Sequence, residues 1–265
     1  MKAVFACRDG EGGRFIATRL VRQGLVEGLV IESGRKARAA KWQRMRKRIR
    51  PWSLPAAALD IASLLIYTRA CERVLRDFVC RQEGICGYPA ALSQCRTDDI
   101  NDPGCLAFLR EQNPDVLLTY GTAILRDEAL GIASRGVLNL HGGIVPHYRN
   151  VHCDFWAFRK GDTAKIGCSV LHLDAGIDRG DVALRRSIDY APGDSLRAVK
   201  KKLLLVAADL AAEALLLAAQ DHLPRKPQEP STALFCPTPG FSDLPEHPAP
   251  ILIPGFGPIV AFYPL

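Results

Sequence analysis

Lys2-Ala3-Val4-Phe5-Ala6-Cys7-Arg8-Asp9-Gly10-Glu11-Gly12-Gly13-Arg14-Phe15-Ile16 decides the fold class. Lys2 to Cys7 is a short, mostly apolar run, as expected of a strand covered on both faces. Gly10, Gly12 and Gly13 then mark a turn in which the backbone needs room. Phe15, Ile16, Leu20 and Val21 recur at helical spacing. Leu25 to Ile31 predicts a second strand. Strand, helix and strand in succession make a βαβ unit, and hence a parallel sheet. The turn fails the dinucleotide-binding spacing, because Phe15 stands where the third glycine belongs. A nicotinamide cofactor is therefore not expected. The amides of Gly10, Gly12 and Gly13, at a helix start, can still receive an anionic group of a substrate.

The alternation of strand and helix resumes after an interruption over 35–82. Leu92 to Thr97 predicts a strand, Pro103 to Gln112 a helix, and Asp115 to Tyr120 a near-continuous apolar strand. Val137 to His141, Gly167 to Leu173 and Val182 to Tyr190 predict three more strands. Cys153 to Arg159 reads as a short helix, and Asp194 to about Gln220 as a long one. The expected fold is α/β, a Rossmann-like, mostly parallel sheet flanked by helices. It has a helical insert and a proline-rich C-terminal tail. Residues 1–220 form the expected main domain, with 35–82 as a basic helical insert, and 221–265 an extension without a core of its own.

The stretch with most chemistry is Val137-Leu138-Asn139-Leu140-His141-Gly142-Gly143. Side chains two apart on a strand share a face, so Asn139 and His141 project together. They do so at a strand's carboxyl end, where open α/β sheets place their ligands. An amide beside an imidazole can hold a carbonyl oxygen and manage a proton. Downstream, His172-Leu173-Asp174-Ala175-Gly176-Ile177-Asp178-Arg179-Gly180-Asp181 is a glycine-interrupted acidic loop following a strand. Asp174 and Asp181 suit ordinary turn bonds to backbone amides, and Asp178 is the acid expected beside His141.

Composition narrows the classes. Hydrophobic residues make up 48% of the chain and charged residues 24%, ordinary for a globular protein. No N-terminal stretch reads as a signal peptide, and no apolar run reaches the roughly 18 residues of a membrane span. A cytoplasmic protein is expected. The nine cysteines are scattered, without a C-x-x-C pair, so reduced thiols are expected rather than a disulfide framework, and no metal site. The net charge of +7 is concentrated in Arg35, Lys36, Arg38, Lys41, Arg44, Arg46, Lys47, Arg48 and Arg50, an acid-free segment. Nucleic acid, an anionic membrane surface or a phosphorylated substrate would each suit it, as would a solvated helix face.

Asn139-x-His141, Pro146, Tyr148-Arg149 and Asp174-x-Gly176-x-Asp178-x-Gly180-Asp181 together resemble the folate-dependent formyltransferase family. That family includes the glycinamide ribonucleotide, methionyl-tRNA and sugar N-formyltransferases. Pro114-Asp115-Val116 with Tyr120-Gly121 is similar to the family's folate-lining strand and loop. The similarity is good over roughly 92–230 and loose over 1–34. It implies 10-formyltetrahydrofolate as formyl donor and a primary amine as acceptor. It implies that Asn139, His141 and Asp178 are catalytic. The pterin would lie on Tyr120, Gly121, Thr122, Ala123 and Ile124 and on Asp174, Ala175 and Gly176. The acceptor would meet Tyr148, Arg149 and the Gly10–Gly13 turn. Two departures bear on the acceptor side: Arg179 stands where many relatives have Thr, and Asn150 where many have Gly.

Methionyl-tRNA formyltransferases also carry a basic insert after the second strand. They add a sizeable β-barrel, for which the proline-rich extension is too short. Gly142 to Trp156 looks most like the sugar N-formyltransferases. The resemblance thus implies a small phosphorylated or nucleotide-linked amine, such as a nucleotide-linked amino sugar, as acceptor. A methionyl-tRNA formyltransferase-like enzyme and a formyltetrahydrofolate hydrolase are the alternatives, and a homodimer is left open. A non-catalytic protein that holds nucleic acid or a membrane surface is the alternative of another class.

Overall fold

The computed structural model describes residues 1–35, 65, 68–173, 178–229 and 234–237. Nearly all of the basic segment, the loop residues Asp174, Ala175 and Gly176, and the end of the proline-rich extension lie outside them. The opening βαβ unit is β1 (Ala3–Arg8), α1 (Glu11–Arg22) and β2 (Gly28–Glu32). A helix over 68–76 continues as the π-helical segment Asp77–Gln82, together α2. Then come β3 (Ser93–Thr97), α3 (Pro103–Gln112), β4 (Val116–Tyr120), the single turn α4 (Asp127–Leu130) and β5 (Val137–His141). The chain goes on through β6 (Tyr148–Asn150), α5 (Cys153–Arg159), β7 (Gly167–His172), β8 (Val182–Ser187), α6 (Leu196–Ala219) and β9 (Leu234–Cys236).

Seven strands form one sheet in the order β3-β2-β1-β4-β5-β7-β8. The first five run parallel, while β7 and β8 are antiparallel additions at the β5 edge. The two sheet faces divide the alternating side chains of each strand. On β1, Ala3, Phe5 and Cys7 join Phe15, Ile16 and Leu20 of α1, Phe78 and Val79 of α2, and Leu204, Ala211 and Leu215 of α6. Val4 and Ala6 face the other way, toward Leu106 and Leu109 of α3 and Ala129 of α4. This double covering explains why β1 and β4 read as unbroken apolar runs. The direction of the connections reverses between β1 and β4, and ligands bind outside the strand ends at such a point.

The structure departs from the sequence reading in three places. Val182 to Tyr190 ends as strand at Ser187, because Arg185, Arg186 and Ser187 are exposed at the sheet's edge. The helical insert, expected over 35–82, ends in π-helical turns over Asp77–Gln82 rather than in regular α-helix. The cysteines are not all thiols: Cys80 and Cys86 form a disulfide, their Cα atoms brought to 4.8 Å by the turn around Gly84. The described part of the extension, expected to lack a core of its own, is tied to the rest of the fold. Lys226 and Val182 exchange two backbone bonds of 2.7 and 3.0 Å. His172 Nε2 donates to the Pro224 carbonyl at 2.9 Å, and β9 pairs in parallel with β6. Among the described residues, no helix is long and apolar enough to cross a membrane.

Candidate active site

β5 delivers Asn139 and His141 to the carboxyl end of the sheet on one face, as period-two geometry requires. Asp178 reaches them from the loop between β7 and β8. Its backbone is left-handed, with φ 49°, a conformation that Asp tolerates better than most residues. The Asn139 amide donates from Nδ2 to Asp178 Oδ1 at 3.2 Å. His141 Nδ1 lies 3.5 Å from Asp178 Oδ2, and the two side chains are only 7% and 11% exposed. Asp178 Oδ2 also accepts the backbone N–H of Asn150 at 2.9 Å. On the far side of the ring, His141 Nε2 is 3.1 Å from the Tyr148 carbonyl. A carbonyl only accepts, so Nε2 carries a hydrogen in this arrangement. That leaves Nδ1 facing the Asp178 carboxylate at 3.5 Å, longer than a direct hydrogen bond.

The surroundings hold these three groups still. Ser169 is fully buried on β7; its hydroxyl donates to the Gly143 carbonyl at 2.7 Å and accepts from Val145 N at 3.2 Å. This pins the loop leaving His141 to the sheet. Cys153, at the start of α5, lies 3.5 Å from His141 Nε2. Gln228, in the extension, donates to the carbonyls of Asp178 and Gly180 at 2.9 and 2.7 Å. Its own carbonyl accepts from Arg149 Nη2 at 2.8 Å. Asn150 has φ 77°, the region glycine occupies at no cost. Its side chain donates to the Cys236 carbonyl at 2.7 Å.

The expected pterin loop lies at the end of β4. Gly121, at φ 65°, turns the chain there, and Arg8 Nε donates to its carbonyl at 2.7 Å. Ala123 N donates to the fully buried carboxylate of Glu32 at 2.9 Å. Burial pushes the Glu32 carboxyl up, against the opposing pull of Ala123 N–H, Arg8 and Ile100 N–H. Asn101 ties the same loop twice, to the Ile124 carbonyl at 3.0 Å and to Arg126 N at 2.8 Å. Thr122 is half-buried, and the Ile124 side chain is left outward at 69% exposure. Tyr120 contributes backbone here. Its hydroxyl instead packs where a β-carbon on Gly12 would stand, 3.2 Å away, and burial pushes it up to about 12.

Two expected acceptor contacts are placed differently. The Tyr148 ring is buried and its hydroxyl donates to Asp162 at 3.1 Å, so that side chain serves the core and its carbonyl faces His141. Gly12 and Gly13 permit close packing: a β-carbon on Gly13 would meet the Arg8 carbonyl at 2.7 Å and the Tyr88 hydroxyl at 2.9 Å. Tyr88 itself sits in the turn, accepting from Gly10 N at 3.4 Å. Arg149 is held by Gln228, beside the acid loop. Sequence reasoning passed over Thr119, Tyr88, Ser169 and Gln228. Only Thr119 and Ser169 left a signal, as lone hydroxyls within apolar strands.

A model of the formyl transferase family matches residues 79–215, just over half of the chain. The chain belongs to the formyl transferase family. The methionyl-tRNA formyltransferase of Geobacter metallireducens is 30% identical over 167 residues, covering 60% of this chain and 53% of the relative. That of Desulforamulus reducens is 32% identical over 131 residues, covering 49% and 41%. The chain thus spans about half the length of the curated relatives it matches. The fold is shared with glycinamide ribonucleotide transformylase 1 of Symbiobacterium toebii, at a TM-score of 0.55, 16% identity and coverage of 86% and 93%. It is shared also with a sugar N-formyltransferase of a Shewanella species, at 0.56, 14%, and 92% and 78%. The expected family and fold class are both borne out.

Proposed function

We propose that this formyl transferase family member is an N-formyltransferase that uses 10-formyltetrahydrofolate as donor. The observation that carries the reading is the meeting of Asn139, His141 and Asp178 at the end of β5. The acceptor's nitrogen attacks the formyl carbon; the new C–N bond forms as the bond to the folate's N10 breaks. Negative charge grows on the formyl oxygen in between. Asn139 has a second amide hydrogen, with no acceptor among the described residues, to offer that oxygen. One such bond contributes roughly 3–4 kcal/mol to the transition state. Asp178 takes the proton that the amine loses, and Asp178 and His141, through water, pass that proton on to the departing nitrogen. Gly121, Thr122, Ala123 and Ile124, with Asp174, Ala175 and Gly176, hold the pterin. Arg8, Glu32 and Asn101 keep the first of these loops in place.

The acceptor we propose is a phosphorylated or nucleotide-linked primary amine, with a nucleotide-linked amino sugar foremost. The likeness of Gly142 to Trp156 to sugar N-formyltransferases supports it. Arg149 at the site's edge and the amides of Gly12 and Gly13 suit its phosphates. The acid-free basic segment favours a second reading, methionyl-tRNA. The test mixes the protein with 10-formyltetrahydrofolate and, in turn, a UDP-linked 4-amino sugar, glycinamide ribonucleotide and methionyl-tRNA. Tetrahydrofolate release is followed by absorbance. Amine-dependent release is expected, falling about 100-fold or more in Asn139→Ala, His141→Ala and Asp178→Asn. Release with formate and no amine requirement would make the protein a hydrolase. Salt-sensitive tRNA binding with no release under any condition would make it a binding protein.

A further inference from the structure

We infer that Thr119 is a positioning residue that sets the direction of the Asn139 amide. The inference rests on the proposed function only for its kinetic consequence; the orientation itself is independent of it. Thr119 lies on β4, directly opposite Asn139 on β5 in the parallel register. It is fully buried, among Val116, Leu117 and Leu118 on an otherwise apolar strand. A hydroxyl inside such a strand carries a cost unless it is bonded. Its Oγ1 lies 3.1 Å from Asn139 Oδ1 and 3.1 Å from the Leu138 carbonyl.

The chemistry of the neighbours fixes which end of the amide is which. Asp178 is a carboxylate and accepts only, so the atom of Asn139 facing it at 3.2 Å must be the NH2 group. The amide oxygen then faces Thr119, and among the described residues no other group donates to it. The hydroxyl gives its hydrogen to that oxygen, or shares it with the Leu138 carbonyl. Asn139 is thus held at both ends, by an acceptor on one side and a donor on the other. One hydrogen remains on Nδ2, and its direction is set by these two anchors. Without Thr119's hydrogen, only Asp178 restrains the amide. It can then turn about its side-chain bonds and carry the remaining N–H away from the reacting oxygen. Misplacement of about 1 Å at a reacting centre costs on the order of 100-fold in rate.

The test compares Thr119→Val, which keeps the shape and removes the hydroxyl, with Thr119→Ser, which keeps the hydroxyl. Thr119→Ala is the second variant in case Val does not fold. With 10-formyltetrahydrofolate and the amine that supports turnover, kcat is expected to fall about tenfold or more in Thr119→Val, with KM for the folate unchanged. Thr119→Ser is expected to restore kcat. A second readout needs no acceptor: the Asn139 side-chain NH2 signals in a 15N–1H spectrum, identified by their loss in Asn139→Ala. They are expected to move in Thr119→Val and to return in Thr119→Ser. Equal kcat and unmoved amide signals in Thr119→Val or Thr119→Ala would overturn the inference. So would Thr119→Ser failing to restore them. Wild-type protein inert toward every amine would bring down the proposed function, and the amide signals would still decide the role of Thr119.

Discussion

Gly143 has no room for a side chain. A β-carbon there would stand 2.7 Å from His141 Nε2 and 2.7 Å from Cys153 Cβ. Both neighbours are buried, and neither is the far end of a flexible chain. Gly143→Ala is therefore expected to push the imidazole out of line with Asp178. The expected cost is about 1–3 kcal/mol of stability, measured by urea unfolding, with tetrahydrofolate release reduced more than about tenfold. Gln228 acts at longer range, clamping the backbone on both sides of Arg179. Gln228→Glu replaces two donors by a carboxylate facing two carbonyls. It is expected to lower kcat about tenfold or more while the thermal midpoint moves by only a few degrees. An unchanged kcat would show that the acid loop holds itself. Asn139 and His141 were legible in the sequence because a strand's period of two depends on nothing distant. Gln228 was not, because its amide is one among many until the fold brings it 50 residues back to Asp178.

Elements were legible where local rules decide them. The bounds of α3, β5 and α5 agree with the sequence reading to the residue, each set by Pro, by an apolar run or by helical spacing. β8 was overextended, because apolar residues after Ser187 belong to a separate packing cluster around α5 and α6. What ties α5 to α6 is an ion pair of Asp154 and Lys200, each largely buried. Burial alone pushes the Asp154 carboxyl up; the Lys200 ammonium, helped by His152 and the Phe155 N–H, more than offsets this, and the carboxyl ends below its ordinary value. A group held low in the folded state contributes stability above its unfolded pKa and loses it as pH falls. Wild-type stability is thus expected to decline as pH drops through about 4 and below, and to decline less in Asp154→Asn. Lys200→Met leaves a carboxylate buried without its partner and is expected to cost about 3–5 kcal/mol. Because α5 opens with Cys153 beside His141, that variant is also expected to lose turnover. Denaturant unfolding across pH, with and without Asp154→Asn in the Lys200→Met background, checks the chain of cause.

Across the whole molecule, the parallel character of the sheet was legible from the first βαβ unit, but its order was not. Nothing local in Gly167 to Ser187 says that β7 and β8 run antiparallel at the β5 edge, or that β9 returns to β6. Those pairings are settled by burial far apart in the chain. Their consequence is that the acid loop between β7 and β8 is closed by residues beyond α6. Lys226 pairs with Val182, Arg225 with Asp181 at 2.8 Å, Gln228 with the Asp178 backbone, and Cys236 with Asn150. The main sheet, in contrast, draws its buried core from residues before 220, with Leu223 packed against it from beyond. A chain ending at Asp221 is accordingly expected to keep its far-ultraviolet dichroism and its cooperative unfolding, and to release tetrahydrofolate at under about a tenth of the intact rate. A synthetic peptide spanning 222–237, added in excess, is expected to restore part of that rate. It would do so by reclosing the loop without contributing any of the three reacting side chains. If the shortened chain folds and turns over at the intact rate, the loop's closure lies elsewhere, and Gln228 and β9 are ornaments of the fold rather than supports of the site.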